Sequence, residues 1–113
     1  MADRYSLEAL RYADAVAGTR SFSAAARAHG VTQPTLSNGI ARLEEQLGGR
    51  LFDRSTRGAV PTAFGGRLLP LIQRSVASLD ALSAEARRLM AQANATIRVG
   101  VSPVIDSELV ADL

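Results

Sequence analysis

Two helix starts and two helix stops alternate between Ser21 and Leu47, which leaves room for little except two helices joined by a tight turn. Ser21 is placed to cap the first helix, because its hydroxyl can accept from an N–H that has no partner in the opening turn. Ala24, Ala25, Ala26 and Ala28 favour helix, and Gly30 supplies the left-handed residue that ends it. Val31 is the apolar residue of the turn. Thr32 is the second cap, and Pro34 falls in the first helical turn, where its missing N–H costs nothing. Leu36, Ile40, Leu43 and Leu47 then recur on one helix face, and Gly48-Gly49 stop the run. A short helix, a turn and a longer helix with a polar first turn is a helix-turn-helix. Gln33, Thr35, Ser37 and Asn38 carry groups that pair with base edges and phosphates. The competing reading is a helical hairpin whose polar residues only face solvent.

A chain of 113 residues allows one small domain and an appendage. No apolar run approaches the ~18 residues of a membrane span. The N-terminus holds Asp3, Arg4, Glu8 and Arg11 around no apolar core, so it does not read as a signal peptide. Without cysteine there is neither a disulfide framework nor a thiolate metal site, which fits a cytoplasmic protein without proving the compartment. The formal net charge of +2 is unevenly spread. Residues 1–75 hold ten Arg against six acids, a net of +4, and residues 76–113 hold three Arg against five, a net of −2. Every basic residue other than His29 is Arg, whose planar fork suits phosphate and guanine. A GC-rich genome would produce the same Ala- and Arg-rich composition.

Residues 1–20 predict the first helix, with Ser6 as its cap and Glu8 near the positive end of its dipole. Leu7, Leu10, Ala13, Ala15 and Val16 mark its apolar side, and Gly18 is expected to close it. Tyr12 and Phe22 are assigned to the core rather than to stacking on bases. Residues 50–62 change character: Leu51–Arg54 and Ala59–Thr62 are short extended candidates around a polar turn ending in Gly58. They predict a two-stranded wing carrying Arg54 and Arg57, with Arg50 at its base. Pro61 is tolerable because a wing strand is an edge.

From Ala63 to about Ala93 the period is helical, with Thr62 as a candidate cap. Gly65, Ile72, Leu79, Ala86 and Ala93 fall at one heptad position, and Leu68, Ser75, Leu82 and Leu89 at the other. About 31 residues would form a rod of roughly 46 Å. Its stripe needs a partner beyond the small domain, and a second copy of the helix is the obvious one. The first two turns are expected to fold back through Leu68, Leu69 and Ile72. Pro70 lies inside and predicts a bend near residues 66–70.

The run from Ser21 to Gly65 resembles the N-terminal domain of LysR-type transcriptional regulators. The likeness rests on Ser21-Phe22-Ser23-Ala24-Ala25-Ala26, Thr32-Gln33-Pro34-Thr35-Leu36-Ser37, Ile40 with Leu43-Glu44, Leu47-Gly48, Leu51-Phe52-Asp53-Arg54, and Thr62 followed by Gly65. It covers about Leu7 to Met90. Molybdate-responsive regulators have a similar N-terminal domain and are an alternative. The resemblance implies a mainly α fold: a winged helix-turn-helix over 1–62, a linker and dimerisation helix over 63–94, and the truncated start of an effector-binding domain over 95–113. Ile97-Arg98-Val99-Gly100-Val101 would be a strand of that domain, and Ser102 would have faced effector.

The implied partner is double-stranded DNA. Gln33, Pro34, Ser37 and Asn38 would present to the major groove; Ser23, Thr32, Thr35 and Arg42 would meet phosphates; Arg54 and Arg57 would serve the wing. Leu68, Ile72, Leu79, Leu82 and Leu89 would pair two copies into a homodimer, and a longer chain into a tetramer, with RNA polymerase a further partner. No cofactor or metal is expected in this chain, although a longer protein would take a small-molecule effector. Enzyme chemistry has little support: His29 has no ligand partner at the right spacing, and no glycine pair has the context of a phosphate loop. A winged-helix module that binds protein rather than DNA is the competing class.

Overall fold

Among the described residues, four helices and one hairpin follow in the order α1 (Leu7–Thr19), α2 (Phe22–His29), α3 (Gln33–Leu47), β1 (Phe52–Ser55), β2 (Gly58–Pro61) and α4 (Ala63–Arg98). The computed structural model describes residues 4–55 and 58–98, with side chains as far as 95. Each helix begins at a hydroxyl. Ser6 Oγ accepts from the Ala9 N–H at 3.2 Å, Ser21 Oγ from Ala24 at 3.0 Å, Thr32 Oγ1 from Thr35 at 3.3 Å and Thr62 Oγ1 from Gly65 at 2.9 Å. Each cap gives a partner to an N–H that the helix cannot satisfy internally. Gly30 and Gly48 end α2 and α3 in the left-handed conformation.

The first helix begins directly after its expected cap, Ser6, and departs from expectation at one apolar position and at its far end. It starts at Leu7, so residues 4–6 lie outside it, and Leu7 is 54% exposed rather than part of the apolar side. Gly18 does not close it. Arg20 does, at φ 58°, with its N–H on the Val16 carbonyl at 2.7 Å. Ser21 must cap the next helix at once, so the chain has one residue in which to turn. A left-handed arginine costs about 1–2 kcal/mol. Its carbonyl accepts the Ala59 N–H of β2 at 3.1 Å, a tertiary bond that holds Arg20 in place.

The chain falls into two units, up to Ala77 and from Ser78 onward. In the first, Tyr12, Ala13 and Val16 of α1, Ala25 and Ala26 of α2, and Leu36, Ile40 and Leu43 of α3 share a core with Leu51, Phe52 and Ala59. Phe22 stands edge-on to Phe52, ring centres 5.9 Å apart. The hairpin is antiparallel, with Phe52 opposite Pro61 and Arg54 opposite Ala59. Glu44 fastens β1 to α3: its Oε2 accepts from the N–H groups of Leu51 at 2.7 Å and Phe52 at 3.4 Å.

The early part of α4 belongs to this core through Leu69, Ile72 and Val76, with Leu68 packed against it. Gly65 is not a seam residue. A Cβ there would lie 2.0 Å from the Leu51 carbonyl oxygen, so α4 crosses this backbone at a distance only glycine allows. Pro70 lies within the helix without ending it. In the second unit α4 continues to Arg98, which corrects the strand assigned from Ile97; that short apolar run follows the helix as far as it is described. Residues 99–113, with Ser102, lie outside the described residues. Leu79 and Leu89 are half-exposed, and Leu82 and Met90 are 67% and 62% exposed. Arg88 forks onto Glu85 at 2.6 and 2.9 Å. That guanidinium holds the Glu85 carboxyl below its usual value.

Candidate nucleic-acid interface

The two faces of α3 do different work. Leu36, Ile40 and Leu43 point inward and are fully buried, which fixes the helix on α1 and α2. The opposite face leaves Gln33, Pro34, Thr35 and Asn38 exposed and Ser37 half-buried. The polar first turn is therefore held rigidly from behind, as base readout requires.

The sequence-predicted residues separate onto two flanks of α3. On one flank a cleft of ≈ 270 Å³ lies between the start of α2, the start of α3 and the hairpin, and is lined by Ser21, Ser23, Gln33, Ser37, Arg54 and Ser55 among others. Arg54 does not dangle from the hairpin. Its guanidinium carbon sits 4.3 Å from the centre of the Phe22 ring, where the ring's negative face attracts it. Ser21 and Ser23 share a hydroxyl contact at 3.2 Å. One charged fork and the polar rim around it can hold a phosphate here. The aromatic seat for Arg54 was not legible: Phe22 reads as core, and it serves core and cation together.

On the other flank Thr35, Asn38 and Arg42 form a line along α3, bordering a second cleft of ≈ 600 Å³. The Thr32 hydroxyl donates to the Thr35 Oγ1 at 2.9 Å and accepts the Thr35 N–H, so Thr32 is engaged in capping and Thr35 keeps its own hydroxyl hydrogen. Arg4 and Gln46 border this cleft as well; sequence reasoning did not single them out. Their link, Gln46 Nε2 donating to the Arg4 carbonyl at 3.0 Å, joins residues far apart in the chain and leaves no local signal.

Gly39 also borders the second cleft. On sequence alone, a glycine at this point of the helix suits either close approach to DNA or simple tolerance. The buried Tyr12 ring supplies a third reason, since a Cβ on Gly39 would lie 3.0 Å from Tyr12 Cδ2. Tyr12 also meets the His29 ring edge-on, with centres 5.4 Å apart. His29 is thus an exposed packing partner at the end of α2. Among the described residues no group of His, Cys, Asp or Glu could hold a metal, and no helix is long and apolar enough to cross a membrane. Arg57 lies outside the described residues.

Comparison with known proteins agrees with this arrangement. The sequence profile of bacterial regulatory helix-turn-helix proteins of the lysR family matches residues 7–66. A probable hydrogen peroxide-inducible genes activator of Mycobacterium avium is 42% identical over 100 residues, covering 88% of this chain and 32% of that protein. The chain therefore spans about a third of that relative's length. Oxidized OxyR of Corynebacterium glutamicum superposes with a TM-score of 0.71 at 32% identity, over 74% of this chain and 26% of that one. The DNA-binding domain of BenM, solved in complex with catB site 1 DNA, superposes with a TM-score of 0.69 at 32% identity, over 75% of this chain and 96% of that one.

Proposed function

Because the chain belongs to the lysR family of bacterial helix-turn-helix regulatory proteins, we propose that it is the operator-reading part of a transcription regulator that works as a dimer. The observation that carries this reading is the rigid polar turn of α3 beside the cleft where Arg54 rests on Phe22. Gln33, Pro34, Ser37 and Asn38 enter the major groove. Ser23, Thr35 and Arg42 meet phosphates, with Thr32 holding Thr35 in place. Arg54 and Arg57 grip the backbone or the minor groove from the wing.

Leu68 and Ile72 are committed to the chain's own core. The dimer seam is therefore the later stretch of α4, with Leu79, Leu82 and Leu89. A longer protein would add a domain for a small-molecule effector, assembly to a tetramer and contact with RNA polymerase. The cytoplasm is where such a protein meets its DNA.

Titration of random and operator-like duplexes at several salt concentrations tests the reading. Phosphate neutralisation makes log K fall linearly with log salt, at about 0.9 per contact. Replacing Arg54 and Arg57 together with Ala should weaken binding to every duplex and flatten that slope by about 1–2. An unchanged slope removes the wing from the interface. No binding to any duplex at low salt favours a module that docks on protein.

A further inference from the structure

The cleft on the α1 side of α3 is only partly used by the reading above. Arg4 lies just before α1 and Arg42 lies on α3, and both border the cleft. Both are exposed. Residue 4 is fixed there because its carbonyl accepts from Gln46 in the last turn of α3 at 3.0 Å. Thr35 and Asn38 continue the Arg42 line toward the base-reading turn. Among the described residues Glu8 is the only acid on the lining, against Arg4 and Arg42.

We propose that this cleft seats a phosphodiester of the DNA strand that passes on the α1 side of the recognition helix, held between the guanidinium groups of Arg4 and Arg42. The proposal rests on the DNA-binding reading. A helix lying in the major groove has a sugar-phosphate backbone on each side. The Arg54 cleft serves one strand, and the Arg4–Arg42 cleft serves the other. Each guanidinium presents paired donors that match two phosphate oxygens.

The test compares wild type with Arg4→Ala, Arg42→Ala and the double variant, by fluorescence anisotropy on a duplex that the wild type selects. Arg4→Ala keeps the carbonyl that Gln46 holds, so it removes the charge and leaves the tether. The expected result is a salt slope lower by about 0.9 for the double variant, one phosphate's worth, and by no more than that for either single variant, with the selected sequence unchanged. Glu8→Gln should tighten binding. A double variant with the wild-type slope overturns the proposal while leaving DNA binding intact, and so does a change in the selected base pairs, which would make these arginines base readers. Failure of the wild type to bind any duplex is a separate outcome: it overturns the DNA-binding reading, and the proposal with it.

Discussion

Gly65 and Gly66 stand side by side in α4, yet alanine should act on them in opposite directions. A Cβ on Gly65 would lie 2.0 Å from the Leu51 oxygen, 2.8 Å from its carbonyl carbon and 3.0 Å from its Cα. The obstruction is backbone, and no rotamer change relieves it. Leu51 cannot retreat freely either: its N–H is held by Glu44 at 2.7 Å, its carbonyl accepts from Thr62 at 3.0 Å, and its side chain is fully buried. Relief requires α4 and Leu51 to part by about 1 Å, a strain of the kind that costs roughly 1–3 kcal/mol in packed cores. Losing the Thr62–Leu51 bond adds about 1 kcal/mol. Better helix propensity returns about 1 kcal/mol. Because backbone is the obstacle, the net should fall toward the upper end, about 2–3 kcal/mol, which lowers the melting temperature of a domain this size by roughly 10–20 °C. Gly66 has nothing within 4 Å of its Cβ position. Gly66→Ala should therefore gain up to about 1 kcal/mol. Thermal and urea melts followed by far-ultraviolet circular dichroism read both. A Gly65→Ala protein melting at or above the wild-type temperature refutes the reasoning.

Glu44→Ala strips the acceptor from the Leu51 and Phe52 N–H groups and should cost about 1–3 kcal/mol in a urea melt; a loss under a few tenths would mean that water replaces the carboxylate. Asn38→Arg should shift preference from A·T to G·C at one position per half-site, and Asn38→Ala should relax that position by about 1–3 kcal/mol. Identical half-sites selected by wild type and both variants would show that Asn38 reads no base. Leu79→Glu with Leu82→Glu places charges in the apolar stripe of late α4 and should yield a monomer by sedimentation. A variant that stays dimeric, or a wild type that is monomeric at high concentration, rejects that seam.

What the sequence revealed was local. Ser6, Ser21, Thr32 and Thr62 cap helices because a cap needs only its own next turn, and the Leu36–Ile40–Leu43 face follows from helical period alone. Arg20 was illegible because a left-handed turn is expected at glycine, and Gly18 stood nearby; the bond from Ala59 decides the matter across the fold. The same holds for Gly65 against Leu51 and for Gly39 against Tyr12. Periodicity also cannot name a stripe's partner. Leu68 and Ile72 share the heptad pattern with Leu79 and Leu82, yet the first pair belongs to the chain's own core and Leu82 faces out. Ile97 and Arg98 show the usual ambiguity of short apolar runs, which suit a strand and a helix end alike. On the candidate interface, the α3 residues and Arg54 were visible as polar or basic outliers; Arg4 and Gln46 were not, since only the packing of α1 on α3 brings them together.

The hairpin is held by each of the first three helices: by the Arg20 carbonyl just after α1, by the Phe22 ring at the start of α2, and by the Glu44 carboxylate on α3. Three attachments from three helices leave it no axis to swing about. On the proposed reading, hairpin and recognition helix would then act as the jaws of a caliper whose span resists change. The duplex must supply the matching spacing between groove and backbone, and the work of bending or narrowing it to fit depends on its base steps. A chain gripping in this way discriminates among base pairs it never touches.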